Sequence, residues 1–479
     1  MITHADERTE NLVLPGDLAK LSQQAVFAAG GREIQRLAAA NLRRDGRIDQ
    51  RVEALEAALA QHRLHFRRPG PDMPRDETVG PAEGVLGGVA LLRHAGKLRA
   101  LRTKSSEFWL SATWLDSTGV LGLRNLSRMK AGADKCILVV NSGSSSLKLS
   151  LFDREADQLL RTGKELREFA EESIATVGHR FVHGGADFSK PVLIDKRVWS
   201  ALQNIAELAP LHNPRAMKTY EEARALFPNA AHIAVFDTGF FHDLPDRAKI
   251  YPTPYQWYSE WGIRRYGFHG ISHEYCAGQA RFARRLVICH LGSGCSASAI
   301  LDGKPIATSM GFTPLEGLMM ATRCGSIDPA ILLHVARHRG LSLDEIEQAL
   351  NKSSGLAGVS GVSSDYREVV KAADAGNARA KLALEIYRDS IVAMVGAYAA
   401  LLGGLDAVVF TGGVGENQAA LRAFVCERLA WMGLDLDAAA NQTCAADQDI
   451  VTAQSRVRVL VIHTREDLLI ARAAKAVLP

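Results

Sequence analysis

Two regimes of apolar patterning meet near Lys135. Upstream, "REIQRLAAANLRRDGRIDQRVEALEAALAQHRLHFRR" carries Ile48, Val52, Leu55 and Leu59 at four-three-four spacing. That is one apolar stripe on an otherwise charged helix. A Pro-rich break, "RRPGPDMPRDE", reads as a linker, and a Gly-rich stretch, "VGPAEGVLGGVALLRHAGK", follows it. Downstream the pattern becomes strand-like. Ile137–Val140 is an unbroken apolar run and Leu147–Phe152 alternates, with Asn-Ser-Gly-Ser-Ser-Ser between them. From there to the end, strand-like runs, helix-like runs and short Gly-containing connections alternate, which predicts α/β layers.

One unit repeats. "ILVVNSGSSSLKLSLFD" (137–153) has an echo in "LVICHLGSGCSASAILDG" (286–303): apolar strand, Gly/Ser turn, second strand, then Asp before a turn. A supersecondary unit recurring after about 150 residues predicts two similar domains facing each other. A third Gly loop, "FTGGVGEN" (410–417), follows the strand "LDAVVF" and opens a helix from about Asn417.

Composition places this pattern in an ordinary globular setting. The chain has 479 residues, 47% hydrophobic and 23% charged, enough for two or three domains. Its net charge of +4 arises in residues 1–134, which hold 20 basic and 16 acidic residues, while the remainder holds 37 of each. Asp45, Asp49, Glu53 and Glu56 interrupt the basic face of the upstream helix, so it reads as a solvated packing helix, with no nucleic acid or membrane as partner. Seven scattered cysteines without a C-x-x-C pair argue for reduced thiols. Met1 is followed by early acids and no apolar h-region, and no run of about eighteen apolar residues exists. The expected location is cytoplasmic.

Gly permits close backbone approach, and Ser hydroxyls with exposed N–H groups satisfy phosphate oxygens. Any one such loop is more often a simple hairpin closure. Three at strand ends, beside charged motifs, point to a polyphosphate held between two domains. There is no Walker A GK[ST] and no Rossmann G-x-G-x-x-G. The charged motifs supply Arg180 and His183 ("VGHRFVHGG"), His212 ("LAPLHNP"), Asp237 ("VFDTGFF"), His269 and His273 ("RRYGFHGISHEY"), Arg323 ("TPLEGLMMATRCGSIDP") and Glu466 ("VIHTREDLLIAR"). Alone, a strand His or Arg is usually a satisfied structural residue, and Glu466 suits any first helical turn. Together they offer cations, a metal-site acid and positioning groups, which is what phosphoryl transfer requires.

Residues 137–479 resemble the acetokinase family, within the actin, sugar-kinase and heat-shock-chaperone superfamily. The resemblance rests on "NSGSSSLK", "GHRFVHGG", "APLHNP", "FDTGF", "YGFHGISH", "HLGSG", "TPLEGLMMATRCGSIDP" and "GGVGEN", in family order. It implies an α/β protein of two actin-like (ribonuclease H-like) domains with a cleft between them, 135–284 and 285–479, the second binding nucleotide. Residues 1–134 would be a mostly helical extension outside the resemblance. The implied reaction is reversible transfer from ATP to acetate with Mg2+ or Mn2+, in a homodimer. By motif, Asn141 and Glu466 would place the metal, and Lys148 would lie by the nucleotide phosphates. Arg180 and Arg323 would hold the carboxylate and the phosphoryl group. Asp237 is the family's catalytic acid, His269 a transition-state stabiliser, and His212 a supporting residue at the substrate. ATP would meet three segments: His290, Leu291, Gly292, Ser293 and Gly294; Asp365, Tyr366 and Arg367; and Gly413, Val414, Gly415, Glu416 and Asn417. A short carboxylate is ionised at neutral pH, so Asp237 is read as an orienting or metal-linked group rather than a base.

The chain departs from the family pattern at Ser293 and Ser326 and in a short stretch, 153–177, where the family has a longer insert. That stretch is expected to supply a third strand and a helix. Two other readings share the fold: a propionate or butyrate kinase, and a nucleotide-dependent regulator without catalysis. Retention of Asn141, Arg180, Asp237, His269, Arg323 and Glu466 favours an enzyme.

Overall fold

The computed structural model describes the backbone of residues 89–94, 97–104, 107–115 and 121–124, and residues 135–143, 147–206 and 213–477 in full. The chain divides into two compact units, 1–133 and 134–479. In the first, Val89–His94 (β1), Lys97–Lys104 (β2), Glu107–Leu115 (β3) and Leu121–Arg124 (β4) form an antiparallel meander in sequence order. These strands were not foreseen in a segment read as mostly helical. The expected helix around Ile48–Leu59 lies outside the described residues.

The second unit is built on two sheets of the same design. Cys136–Ser142 (β5), Leu147–Phe152 (β6), Leu159–Gly163 (β7), Ile174–Phe181 (β8), Val192–Leu193 (β9) and Ala231–Phe236 (β10) form one, in the order β7-β6-β5-β8-β10-β9. Arg285–Leu291 (β11), Cys295–Leu301 (β12), Lys304–Thr308 (β13), Ala407–Thr411 (β14), Gln448–Asp449 (β15) and Arg458–Val461 (β16) form the other, in the order β13-β12-β11-β14-β16-β15. Strand for strand, the orders and directions coincide. An antiparallel hairpin leads into a parallel trio, β5-β8-β10 or β11-β14-β16, and a two-residue edge strand closes each sheet. The echo between the hairpins 137–153 and 286–303 is therefore one corner of a complete duplication.

The parallel strands β5, β11 and β14 carry the apolar runs 137–140, 286–289 and 407–410 because helices cover both faces of the sheets. Val287, Val408, Val459 and Val461 pack toward the helix Ala378–Leu402, through Leu384, Ile391 and Val395. The two sheets exchange helices. Tyr275, Cys276 and Ala277, on the helix Gly270–Gln279, pack on Leu286, Ile288 and Val409 of the second sheet. The last helix, Glu466–Val477, returns to the first sheet, where Ile470, Ala471 and Ala474 meet Ile137, Val139 and Ile233. Gly178 leaves room for this helix: a Cβ there would stand 2.9 Å from the Ile470 side chain. A division into 135–284 and 285–479 thus follows the sheets but not these two helices.

The stretch 153–177 supplies the third strand, β7, but not a full helix. It makes one 3-10 turn, Leu166–Phe169, whose two apolar residues are buried against Leu138, Val140 and Leu151. Leu166 and Phe169 are three apart, the spacing that eclipses side chains in a 3-10 turn. The GGVGEN segment also differs in detail. Its helix begins at Gly412, not near Asn417, and a second helix, Ala419–Arg428, continues after Gln418.

Candidate active site

Arg180 and the residue after Phe236 stand at the carboxyl ends of the neighbouring parallel strands β8 and β10, where open α/β sheets place ligands. Arg180 Nε and Nη2 donate to Oδ1 and Oδ2 of Asp237 at 2.9 and 2.6 Å, a two-pronged pair. Its Nη1 donates to Asn141 Oδ1 at 2.9 Å and lies 3.5 Å from Glu466 Oε2. Burial alone would lower the guanidinium's pKa, but Asp237 and Glu466 outweigh it and raise it. Burial pushes the Asp237 carboxyl upward against the pull of Arg180. Two donors facing two acceptors keep that carboxylate charged. With both oxygens engaged by Arg180, Asp237 holds that guanidinium in place.

His269 is the N-cap of the helix Gly270–Gln279, with φ 58° in the left-handed region. Such backbone is uncommon for a residue with a side chain and concentrates at functional sites. Gly270 fixes the geometry: its N–H donates to the Asp237 carbonyl at 2.8 Å, and a Cβ would stand 2.1 Å from that oxygen. The glycines flanking His269 pack tightly, Gly267 against Phe241 and Thr308 and Gly270 against Asp237. His269 Nδ1 is 2.9 Å from Ser296 Oγ, and its ring packs on His290 with centroids 4.4 Å apart. Burial first, then His290 and the two arginines, hold His269 well below the ordinary histidine range, so the ring is neutral.

Arg323 completes the cation pair from a loop. Its Nη1 donates to the Pro314 carbonyl at 2.6 Å, and among the described residues no carboxylate pairs with it. Burial lowers its pKa. A Cβ on Gly294 would stand 2.9 Å from Arg323 Nη2 and 3.2 Å from His269 Nε2. Only glycine leaves that space open between them. Gly143, Arg180, Asp237, His269, His290, Gly294, Arg323 and Glu466, with the apolar Val182, Phe268 and Pro314, line one cleft of about 260 Å³.

The sequence reading missed Asp467. This buried carboxylate accepts from Asn141 Nδ2 at 2.8 Å and Ser150 Oγ at 2.7 Å, and pairs with Lys148 Nζ at 2.8 Å. It fixes the Asn141 amide so that Oδ1 faces Arg180. Lys148 is thereby committed to Asp467 while its side chain remains largely exposed. Glu466 alone of the adjacent acids reaches the cleft.

Other expected residues stand apart from this lining. Asp365 caps the helix Tyr366–Asp374 and pairs with Arg367, while Tyr366 is buried in the core with its hydroxyl near Arg388. Leu291 is fully buried in the core. In the Gly413, Val414, Gly415 and Asn417 segment, Glu416 folds back onto the Gly412 N–H at 3.1 Å and meets His463 at 2.7 Å. Buried Arg422 holds that segment by donating to the Gly415 and Glu416 carbonyls. Ser293 presents its carbonyl to the Ala321 N–H, and Ser326 Oγ accepts from the Gly317 N–H, so both serine departures take part in loop closure. His183 is a wall residue, edge-on to Tyr266 and Phe268, with its pKa lowered to about 4 by burial and Arg264. His212 lies outside the described residues.

A duplicated α/β half, Gly/Ser hairpins at its strand ends and a cationic cleft with an adjacent acid define a phosphoryl-transferring class of protein. Known proteins give the family. The model of the acetokinase family matches residues 157–472, and the chain belongs to that family. It is 53% identical to the acetate kinase of Cyanothece sp. over 306 residues, covering 62% of this chain and 75% of the relative. It is 43% identical to the acetate kinase of Clostridium botulinum (strain Kyoto) over 392 residues, covering 71% and 99%. Among crystal structures, Porphyromonas gingivalis acetate kinase superposes with a TM-score of 0.67 at 36% identity, covering 72% of this chain and 100% of that one. A propionate kinase from Francisella tularensis gives 0.68 at 36% identity, with the same coverage. The two like sheets are the actin-like pair expected from the sequence.

Proposed function

We propose that the protein is an acetate kinase, transferring the γ-phosphoryl group of ATP reversibly to acetate to give acetyl phosphate and ADP. The observation that carries this is Arg323, a cation without a carboxylate partner among the described residues, opposite neutral His269 across the space that Gly294 leaves free. A desolvated cation in that position is stabilised by an anionic group held in the cleft.

In this reading Arg180, already fixed by Asp237 and Asn141, presents its remaining N–H groups to the acetate carboxylate. The acetate methyl rests on Val182, Phe268 and Pro314. One carboxylate oxygen attacks the γ-phosphorus, the bond to the bridging oxygen breaks, and ADP leaves with that electron pair. No proton moves, because the nucleophile is already ionised. Arg323 and His269 Nε2 stabilise charge on the equatorial oxygens. Lys148 and the segments 290–294, 365–367 and 413–417 bind the nucleotide, the last held in shape by Arg422, and His212 assists at the substrate.

The donor set fits magnesium. Among the described residues no group of three His, Cys, Asp or Glu side chains is placed to hold a metal, but Glu466 offers a carboxylate in the cleft beside Asn141. Mg2+ characteristically takes one or two protein oxygens and completes its shell with water and substrate phosphates. When bound it would neutralise phosphate charge.

We further infer a cytoplasmic homodimer. No helix of the described residues is long and apolar enough to cross a membrane. Among the described residues no side chain of the helix Ala330–Arg339 is fully buried, and Ile331 and Leu333 are about half exposed. The test of function is hydroxamate trapping of acyl phosphate from ATP with acetate, propionate and butyrate in competition. Acetyl hydroxamate should dominate. A preference for propionate or butyrate would reassign the carboxylate, and ATP turnover indifferent to all three would remove the kinase reading.

A further inference from the structure

The cleft contains more buried histidine than phosphoryl transfer needs. Behind His269 runs a chain of side chains, all fully buried: Ser296 Oγ lies 2.9 Å from His269 Nδ1 and 2.7 Å from His273 Nε2, and Ser298 Oγ lies 2.7 Å from His273 Nδ1. Elementary geometry makes the match. His269 and His273 are one helical turn apart at the start of the helix Gly270–Gln279. Ser296 and Ser298 are two apart on β12 and share a face. A helical turn rises about 5.4 Å and two strand residues about 6.8 Å, so serines and imidazoles interleave.

The chain is not a proton wire. The nucleophile needs no deprotonation, and the far end, Ser298, is buried without a further side-chain partner among the described residues. Both rings are neutral, with burial the chief cause, so each carries one N–H and one lone pair. Two polarities are then conceivable. In one, the Ser298 hydroxyl donates to His273 Nδ1, His273 Nε2–H to Ser296, and the Ser296 hydroxyl to His269 Nδ1. Every proton has an acceptor, and His269 is left with Nε2–H toward Gly294 and the cleft. In the other, His269 Nδ1–H begins the chain and the buried Ser298 hydroxyl proton ends it without a side-chain acceptor among the described residues, which is costly.

We propose that Ser296, His273 and Ser298 are positioning residues that lock His269 as its Nε2–H tautomer, aimed into the phosphoryl site. This rests on the reading of His269 as a transition-state donor and deepens it. An imidazole free to present its lone pair would repel a phosphoryl oxygen. The buried chain removes that alternative before substrate arrives, which is preorganisation of the donor.

The test is tautomer-resolved NMR on the full-length protein labelled with 15N-histidine, using two-bond 1H–15N correlations and His269→Gln to assign the ring. The expected spectrum has an unprotonated Nδ1 and a protonated Nε2 at neutral pH. Ser296→Ala should shift the Nδ1 signal and lower kcat about tenfold with the acetate KM within about twofold, the loss of one hydrogen bond's worth of positioning. Ser296→Thr, which keeps the hydroxyl, should restore most of the rate. A wild-type ring protonated at Nδ1 overturns the proposal, as does Ser296→Ala with unchanged kcat or an unchanged Nδ1 signal. If Ser296→Ala does not fold, the wild-type spectrum alone decides. Failure of the donor reading itself is separate: His269→Ala would then leave kcat intact, whereas the tautomer is read without turnover.

Discussion

The two arginines of the cleft should respond to the same substitution with opposite effects on stability. Replacing Arg323 by Met removes a desolvated cation whose one side-chain hydrogen bond among the described residues goes to the Pro314 carbonyl, and leaves no buried carboxylate behind. The fold should lose no more than that bond, about 1 kcal/mol, and regain the cost of burying the charge, for a net change near zero or favourable. Replacing Arg180 by Met strands Asp237, which is 1% exposed, without its two-pronged partner. Breaking a buried pair from one side costs about 3–5 kcal/mol. Turnover should fall in both. For Arg323→Met the loss follows from a charge about 4 Å from the phosphoryl group, worth about 4 kcal/mol at an effective dielectric of 20, or about a thousandfold in kcat. Urea unfolding and the hydroxamate assay on the same preparations read the two quantities. Arg323→Met that destabilises as much as Arg180→Met, or that keeps its kcat, would refute the assignment of Arg323 as a cation held in readiness for substrate.

Other outcomes follow from the same contacts. Glu466→Gln should raise the magnesium concentration needed for half-maximal rate and slow turnover without unfolding the protein; unchanged magnesium dependence would take Glu466 out of the metal site. Asp467→Asn should lower stability by about 1–3 kcal/mol, because an amide has one acceptor oxygen where the carboxylate serves Asn141, Ser150 and Lys148 with two, and should disturb acetate KM through Arg180; wild-type stability and KM would show that Asp467 does not set Asn141. Because His183 has a folded pKa near 4, below its unfolded value of about 6.5, the unfolded chain binds the extra proton. Its contribution, up to about 3 kcal/mol, is present above pH 6.5 and lost progressively toward pH 4. Urea midpoints that do not fall over that interval would contradict its burial as a neutral ring.

Much of the scaffold is visible in the residues themselves because its signals are local. The unbroken apolar runs at 137–140 and 286–289 and the Gly/Ser turns after them mark the hairpins, and their echo announces the duplication. The edge strands Val192–Leu193 and Gln448–Asp449 are too short to show any period, so the full correspondence of sheet orders emerges only in three dimensions. The same limit applies to partners distant in sequence. Asp467 reads as one of two first-turn acids, and only folding across more than 300 residues gives it Asn141 and Ser150. Ser296 and Ser298 were hidden inside a motif whose composition already had an explanation as a phosphate turn. Helix exchange between the sheets likewise depends on tertiary packing of Ile470 and Tyr275, which no periodicity encodes.

Whether His269 donates to the phosphoryl group in the transition state is read directly by steady-state kinetics of His269→Ala. kcat should fall by about 10²–10³, with a much smaller change in the acetate KM and a folded protein by urea unfolding. A variant that turns over at the wild-type rate but unfolds more easily would contradict it, leaving His269 a structural cap on the helix Gly270–Gln279.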